Sequence, residues 1–248
     1  MCPLLVTAQW TGDAVAWPDA HRAAHQPSCP KRRGPGAATK EGVAAPLSPR
    51  YPRLMHQPTR RIEPADTKRN RALAWVESFE PCGNPRHERG RDLTLELLQR
   101  SPDPFDRMDY ELGHITASAV VFSPDRARVL LVFHNRLQLW LQPGGHVERS
   151  DPDVLAAARR EVMEETGVAL YPPDNPQLVG VDVHDIPPAR GEPRHLHHDL
   201  VFRLVARREK VQVSSESRLV AWCPVQDLSD YQADDALRGV VDRALREG

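Results

Sequence analysis

Runs of apolar residues in the second half of the chain predict a β-sheet. Residues 115–122 (ITASAVVF) and 128–134 (RVLLVFH) predict two strands. The residues between them, Ser123-Pro124-Asp125, have the composition of a turn, so the two strands should form a hairpin. Further strands are predicted over 178–183, 195–206 and 219–222, and in a short segment that includes Val211 and Val213. Residues 137–141 lead into a helical segment.

Helical patterns flank these strands. Residues 71–100 predict two short helices, of which the second starts after Asp92 and stops near Ser101-Pro102. Residues 234–246 predict an amphipathic helix near the C-terminus. Helices packed against a mixed sheet give an α/β or α+β sandwich, which is the fold class we expect.

One more helix is predicted between the strands, over residues 152–166. Asp151 is a suitable N-cap, and Pro152 suits the first helical position, where a missing N–H costs nothing. Gly167 is expected to end the helix in the left-handed conformation.

The first 70 residues differ from the rest of the chain. They are rich in Pro, Ala, Arg and His, and their apolar residues follow no sustained period. This composition predicts a disordered extension. Two other interpretations stay open: translation starts downstream, for example at Met55, or the basic clusters at 31–33 and 60–61 form a nucleic-acid-binding arm. The predicted organisation is an extension over 1–70, a helical lead-in over 71–104 and a catalytic domain over 105–248.

Composition narrows the function classes. The chain of 248 residues has a net charge of −1, so it lacks the basic field of a nucleic-acid-binding protein, and we expect no specific nucleic-acid binding. No apolar run approaches the ~20 residues of a membrane-spanning helix, and the N-terminus does not look like a secretory signal. The four cysteines form no C-x-x-C pair, which favours reduced thiols in a cytoplasmic protein.

Three glutamates in the helix over 152–166 carry the clearest chemical signal. Glu161, Glu164 and Glu165 stand at i, i+3 and i+4, which places them on one helix face with Cβ atoms about 5–6 Å apart. Like charges at this spacing destabilise a helix, so the arrangement favours a hard divalent cation such as Mg²⁺, which binds carboxylates together with substrate phosphates. Gly144 and Gly145 let the preceding backbone approach the ion or the phosphate closely.

Residues 144–168 resemble the Nudix box, which is written as Gly, five residues, Glu, seven residues, then Arg-Glu-apolar-any-Glu-Glu-any-Gly-apolar. The second half matches without exception from Arg160 to Val168. The first half departs from the pattern, because the sixth residue after Gly145 is Asp151, and eight residues precede Arg160 instead of seven. Either Asp151 replaces the missing Glu after a one-residue insertion, or that role is lost.

The resemblance implies a Nudix fold over more than half of the chain and a set of site residues. It implies Glu161 and Glu165 as direct ligands of Mg²⁺, or of Mn²⁺ in its place, and Glu164 as a ligand directly or through water. The Gly145 carbonyl is a further implied ligand. Arg160 is expected to pair with one of the carboxylates and to fix its rotamer. The predicted catalytic residues are therefore Glu161, Glu164 and Arg160.

The general base stays open among three acids. In this family it is sometimes a glutamate of the box and sometimes an acid on a distant loop. The candidates are Glu164, Glu192 and Asp199. Crowding of like charges raises the pKa of an acid that holds no metal, which suits a base.

The segment His195-Leu196-His197-His198-Asp199 is the second notable feature. On a strand, His195, His197 and Asp199 share one face. We predict that His197 and Asp199 bind substrate; a metal site and a half-solvated strand face without function are the alternatives. Trp140, just before the box, either stacks on a substrate ring or fills the core.

The function expected from the resemblance is Mg²⁺-dependent hydrolysis of a diphosphate linkage. Candidate substrates are modified nucleoside triphosphates, nucleotide sugars and molecules like ADP-ribose. The alternative is a Nudix-like module that senses a nucleotide without cleaving it. The expected partner is thus a small nucleotide or diphosphate molecule, with no membrane partner and with a homodimer as an option.

Overall fold

The chain folds around one mixed β-sheet. The structure, a computed structural model, describes residues 64–134, 138–172, 175–189, 191–212 and 219–247. The strands are β1 (His114–Phe122), β2 (Arg128–His134), β3 (Leu139–Leu141), β4 (Gly144–His146), β5 (Gln177–Ile186), β6 (His195–Val205) and β7 (Val220–Pro224). The helices are α1 (Pro64–Ser78), α2 (Pro85–Arg100), α3 (Val154–Thr166) and α4 (Asp235–Arg246). A short 3₁₀ turn, Val225–Asp227, follows β7.

Strand β1 is the centre of the sheet. Five strands lie in the order β3-β2-β1-β6-β5, while β4 pairs with β1 and β7 pairs with β2. β1 runs parallel to β6 along its whole length, and the other pairs are antiparallel. The predicted hairpin of β1 and β2 is present, with Phe122 opposite Val129. Every residue of β1 is buried, as expected for a strand covered on both faces.

Helices cover both faces of the sheet. Alternate residues of β1 face opposite sides: Ile115 and Ala117 pack in a core with α1, α2 and α3, whereas Val120 and Phe122 pack in a core with α4. A third apolar cluster joins Val162 of α3 to β1, β2 and β6. The molecule is therefore the α/β/α sandwich with a mixed sheet that the hydrophobic pattern predicts. None of its described helices is both long and apolar enough to cross a membrane.

Both N-terminal helices start earlier than predicted. Helix α1 begins at Pro64 rather than at residue 71, so residues 64–70 are helical. Helix α2 begins at Pro85 rather than after Asp92, because the Asn84 side chain caps it by accepting from the N–H groups of Arg86 and His87. Both helices start at a proline, whose fixed φ suits the first turn. The predicted disorder of residues 1–63 lies outside the described residues.

One predicted strand, in the segment that includes Val211 and Val213, lies only partly within the described residues. Val211 lies in no strand, and Val213 lies outside the described residues. The backbone N–H of the neighbouring Gln212 donates to the Thr166 carbonyl at the end of α3. Gln212 therefore contacts the end of that helix.

Candidate active site

Helix α3 carries the three glutamates, and a cap fixes each of its ends. The N-cap is Asp153, whose carboxylate accepts from the Ala156 N–H at 2.9 Å. The prediction of Asp151 as the cap and Pro152 as the first helical residue was therefore wrong. At the other end, the prediction for Gly167 is confirmed: the residue has φ 64° and its N–H donates to the Met163 carbonyl at 2.8 Å.

Asp151 is not the cap because its carboxylate is bound to Arg160. It accepts from the Nε and Nη2 atoms of that guanidinium at 3.0 and 2.9 Å, and from the Glu148 N–H at 2.8 Å. Two parallel bonds of this kind fix both position and orientation. The extra residue before the helix is absorbed in the loop, and Asp151 holds Arg160 from that loop.

Arg160 connects the loop to the acids of the helix. Its Nη1 atom donates to Glu161 Oε1 and to Glu164 Oε2, both at 2.9 Å, and Nη2 also donates to the His146 carbonyl at 2.8 Å. Arg160 thus pairs with two box carboxylates where one was expected. Because its N–H groups all donate to groups of the protein, Arg160 is a residue that positions the acids.

Glu161 and Glu165 lie against the glycines of β4. A methyl group added at Gly145 would come within 2.7 Å of the Glu161 carboxylate carbon, so a side chain there would displace that carboxylate. The Gly144 N–H donates to Glu165 Oε2 at 3.0 Å. Glu164 is more exposed than Glu161, with 58% of its side chain accessible against 15%. The structure therefore brings the predicted ligands Glu161, Glu165 and Gly145 together at one edge of α3.

Burial and the guanidinium act in opposite directions on these acids. Burial is the largest influence on the pKa of Asp151 and would raise it. The hydrogen bonds from Arg160 and the Glu148 N–H, together with the charges of Arg160 and Lys68, outweigh burial and leave that pKa below its usual value. For Glu161, burial dominates over Arg160 and the pKa is raised. The hydrogen bonds that Arg160 donates to Asp151 are the main reason why the pKa of Arg160 is raised. A positive ion beside Glu161 would favour its charged form.

These residues fit a hard divalent cation. They supply carboxylate oxygens from one helix face and a backbone approach through glycine, which are the donors that Mg²⁺ and Mn²⁺ take. Gly145 of β4 lies so close to Glu161 that a side chain at this position would meet the carboxylate.

A cluster of histidines lies on the other side of β4. His146 is paired with Thr116 and Gly145 with Ala117, and Ala117 faces the α3 side of the sheet. Side chains alternate along a strand, so His146 points away from α3. The histidine cluster consists of His114, His146, His184, His195 and His197, and these come from β1, β4, β5 and β6.

His197 lies in the middle of the histidine cluster. Its ring centroid is 4.7 Å from that of His114, 5.1 Å from His195, 5.2 Å from His146 and 5.7 Å from His184. Burial, reinforced by the neighbouring rings, lowers the pKa of His197 to about 2 and that of His114 to about 4. Both rings are therefore neutral at pH 7.

Asp199 lies on the same face as His197, as predicted, and is buried. Its two carboxylate oxygens accept from Thr116 Oγ1 at 3.1 Å and from Ser118 Oγ at 2.6 Å. Burial raises its pKa in spite of these bonds. His198 faces the other way, where its ring nitrogens bond to Thr94 Oγ1 and to the Leu112 carbonyl.

Two further candidates have partners other than the box glutamates. Trp140 makes edge-to-face contacts with Phe133 and Tyr231, at centroid distances of 5.4 and 5.3 Å, and packs on the α4 core. These contacts agree with the interpretation of Trp140 as a core residue. Glu192 forms an ion pair with Arg107 at 3.3 Å, which links two loops.

A model of the NUDIX domain family matches residues 113–244, which is more than half of the chain, and the chain therefore belongs to the Nudix family. Members of this family generally use a divalent cation such as Mg²⁺. The matched range lies inside the expected domain of 105–248.

Comparison with individual proteins gives shorter or weaker matches. The phosphatase NudJ of Escherichia coli K12 is 39% identical over 59 residues, which cover 24% of this chain and 38% of NudJ. The chain thus matches well under half of the length of these curated relatives. A NUDIX family hydrolase from Clostridium perfringens is 23% identical, with 54% of this chain and 97% of that chain covered and a TM-score of 0.40. The NUDIX domain of Shewanella oneidensis NrtR, complexed with ADP ribose, is 21% identical, with 54% and 86% covered and a TM-score of 0.43.

Sequence reasoning found two members of the histidine cluster, His195 and His197, and missed the other three. His114 directly precedes the buried run of β1, His146 directly follows the Gly-Gly pair, and His184 stands two residues after Asp182 on β5. Only the pairing of β1 with β4 and β6, and of β5 with β6, brings these positions together.

Proposed function

We propose that this protein is a Mg²⁺-dependent Nudix pyrophosphohydrolase that acts on a nucleoside diphosphate-linked substrate. The observation that carries the proposal is the acid array of α3, in which Arg160 is anchored by Asp151 and holds Glu161 and Glu164. Substrates of this kind include modified nucleoside triphosphates, nucleotide sugars and molecules like ADP-ribose.

The proposed ligands of the cation are Glu161, Glu165 and the Gly145 carbonyl, with Glu164 bound directly or through water. A divalent cation in such a site neutralises phosphate charge and lowers the pKa of bound water. In the proposed reaction a water oxygen attacks one phosphorus of the P–O–P linkage, and the bridging oxygen leaves with the other phosphate. Two phosphate-bearing products result.

The residues of the chain contribute mainly positioning. Arg160 keeps Glu161 and Glu164 in fixed rotamers, and the Gly144 N–H does the same for Glu165. Such preorganisation matters because phosphoryl transfers depend mostly on geometry and electrostatics. We propose Glu164 as the general base: it is the most exposed of the Arg160-bound acids, whereas Asp199 is buried on the other side of β4 and Glu192 is paired with Arg107.

The test is a panel of substrates incubated with the full chain and Mg²⁺. The panel consists of nucleoside triphosphates, oxidised nucleotides, nucleotide sugars, ADP-ribose and dinucleoside polyphosphates. Each product is quantified by chromatography. We expect turnover of one class, with a loss of at least about 100-fold in Glu161→Gln. Glu88→Gln, the same change at an exposed position of α2, is the matched control and should keep full activity.

The competing function is a nucleotide-sensing module. It predicts binding of a panel member with no product in either chain. Binding measured by calorimetry on the same samples therefore separates the two functions.

A further inference from the structure

The histidine cluster contains three imidazoles arranged like the ligands of a transition metal. We propose that His114, His195 and His197 bind one Zn²⁺-like divalent ion, at a site distinct from the acid array of α3. The ligand nitrogens of these three residues all lie within 4.8 Å of one another. The proposal does not depend on the hydrolase function.

The distance between His195 and His197 fits tetrahedral zinc. Their Nε2 atoms are 3.3 Å apart. Two nitrogens that each bind zinc at about 2.0–2.1 Å in tetrahedral geometry are separated by roughly 3.3–3.4 Å. A single ion between these rings therefore needs little movement of either ring.

The tautomer of His195 is set for ligation. Its Nδ1 atom lies 2.8 Å from the Pro193 carbonyl, which only accepts, so Nδ1 carries the proton and donates. The Nε2 atom then carries a lone pair directed at His197, which accepts a hydrogen bond from His197 Nε2 when no metal is bound and is the donor that a metal would take. A backbone carbonyl on the far nitrogen is the usual outer partner of a metal-binding histidine, because it fixes both the tautomer and the ring orientation.

His114 supplies an independent observation. Its side chain is only 1% exposed, and neither ring nitrogen makes a hydrogen bond of normal geometry to a described residue. A looser interaction with the Asp109 backbone raises its pKa, but burial outweighs it. A buried imidazole without a partner is unfavourable, since it loses its bonds to water and gains none in return. Coordination by one nitrogen would remove much of that cost. The low pKa values of His114 and His197 agree with this, because only a neutral imidazole binds a metal.

The chemistry of the donors selects the kind of metal. Three neutral imidazoles favour Zn²⁺, Co²⁺ or Ni²⁺ over Mg²⁺, which prefers oxygen. Three protein ligands leave a fourth position for water or a substrate oxygen. His146 and His184 flank the site, and their rings contact that of His197.

The experiment uses the tag-free full chain with Co²⁺, in a large excess of Mg²⁺ that saturates the acid array. We expect one Co²⁺ per chain, with the intense visible absorption of a four-coordinate site. His197→Gln and His195→Gln should each weaken binding at least roughly 100-fold, because loss of even an outer-shell partner costs about 10–100-fold. Glu161→Gln and the surface control His134→Gln should bind as the native chain does.

The contrary results are equally definite. Absence of the absorption in the native chain, its persistence in His197→Gln or its loss in Glu161→Gln would each overturn the proposal. X-ray absorption at the zinc edge of the native chain gives a test that does not depend on how the variants fold. Scattering from three imidazoles supports the site, and a shell of oxygens alone refutes it.

Discussion

The bond between Asp151 and Arg160 can be tested by Asp151→Asn. Asp151 is 6% exposed and accepts three hydrogen bonds, two of them from Arg160. Asparagine keeps the shape of the side chain but loses the charge. Its amide NH2 group would also face an N–H donor in place of an accepting oxygen. The substitution therefore leaves a largely buried guanidinium without its main counter-charge.

The loss of unfolding free energy in Asp151→Asn depends on the contacts that Arg160 keeps. Removing one partner of a fully buried ion pair costs about 3–5 kcal/mol. Arg160 is 20% exposed and keeps Glu161, Glu164 and the His146 carbonyl, so we expect a smaller loss than for a fully buried pair, about 2–3 kcal/mol. For a domain of this size each kcal/mol shifts Tm by about 2–4 °C, which gives a fall of roughly 4–12 °C.

The matched control is Asp153→Asn, the same change two residues along the chain. Asn caps a helix as well as Asp does, and the ion pair of Asp153 with Arg71 is largely exposed, so Tm should hardly change. Thermal unfolding followed by circular dichroism measures both variants. Equal Tm values for the two variants would refute the assignment of Asp151 as the anchor of Arg160.

The bond between Asp151 and Arg160 also predicts how the stability of the fold depends on pH. The pKa of Asp151 is lower in the folded chain than in the unfolded chain, so its charge stabilises the fold above the unfolded pKa of about 3.9. This stabilisation is lost as the pH falls through the folded pKa. The difference in unfolding free energy between the native chain and Asp151→Asn should therefore be constant near neutrality and shrink below about pH 4. A difference that persists unchanged into acid would contradict the argument.

Four further predictions concern the site and its supports. Gly145→Ala should lower activity about 10-fold or more, because the new methyl displaces the Glu161 carboxylate. The control is Gly239→Ala in α4, where nothing lies within 4 Å of the new methyl. It should keep activity and raise the free energy of unfolding by about 0.5–1 kcal/mol. Gly167→Ala should lose about 1–2 kcal/mol in the same assay because φ is 64°, and an unchanged Tm would contradict the left-handed cap. Chelation of divalent ions should abolish product formation, and Mg²⁺ or Mn²⁺ should restore it; activity that survives chelation would exclude the proposed chemistry. Removal of residues 1–54 should leave kcat/KM unchanged, and a fall would show that this segment takes part.

The sequence predicted those parts of the fold that local patterns determine. The long apolar strands and the helix with the glutamates agree with the structure because period and composition alone specify them. The predicted start of α3 was wrong because a polar side chain there has two possible uses. Both Asp151 and Asp153 could cap α3, and only the position of Arg160, nine residues after Asp151, decides between them.

The histidine cluster marks the limit of sequence reasoning. Its five members come from four strands, and two of those strands, β1 and β6, are parallel neighbours far apart in sequence. No local pattern reports which register such strands adopt. The acids of α3 were predictable because one helical turn contains them, whereas the histidines become neighbours only through the sheet.

The most direct test of the central claim is the fate of water oxygen. The substrate found in the panel is incubated with the native chain in ¹⁸O-water with Mg²⁺, and the mass of each product is measured by mass spectrometry. We predict one ¹⁸O atom in one of the two phosphate products, and none above background with Glu161→Gln. A native chain that binds the nucleotide but returns it unlabelled and intact would contradict the hydrolase and favour the sensing module.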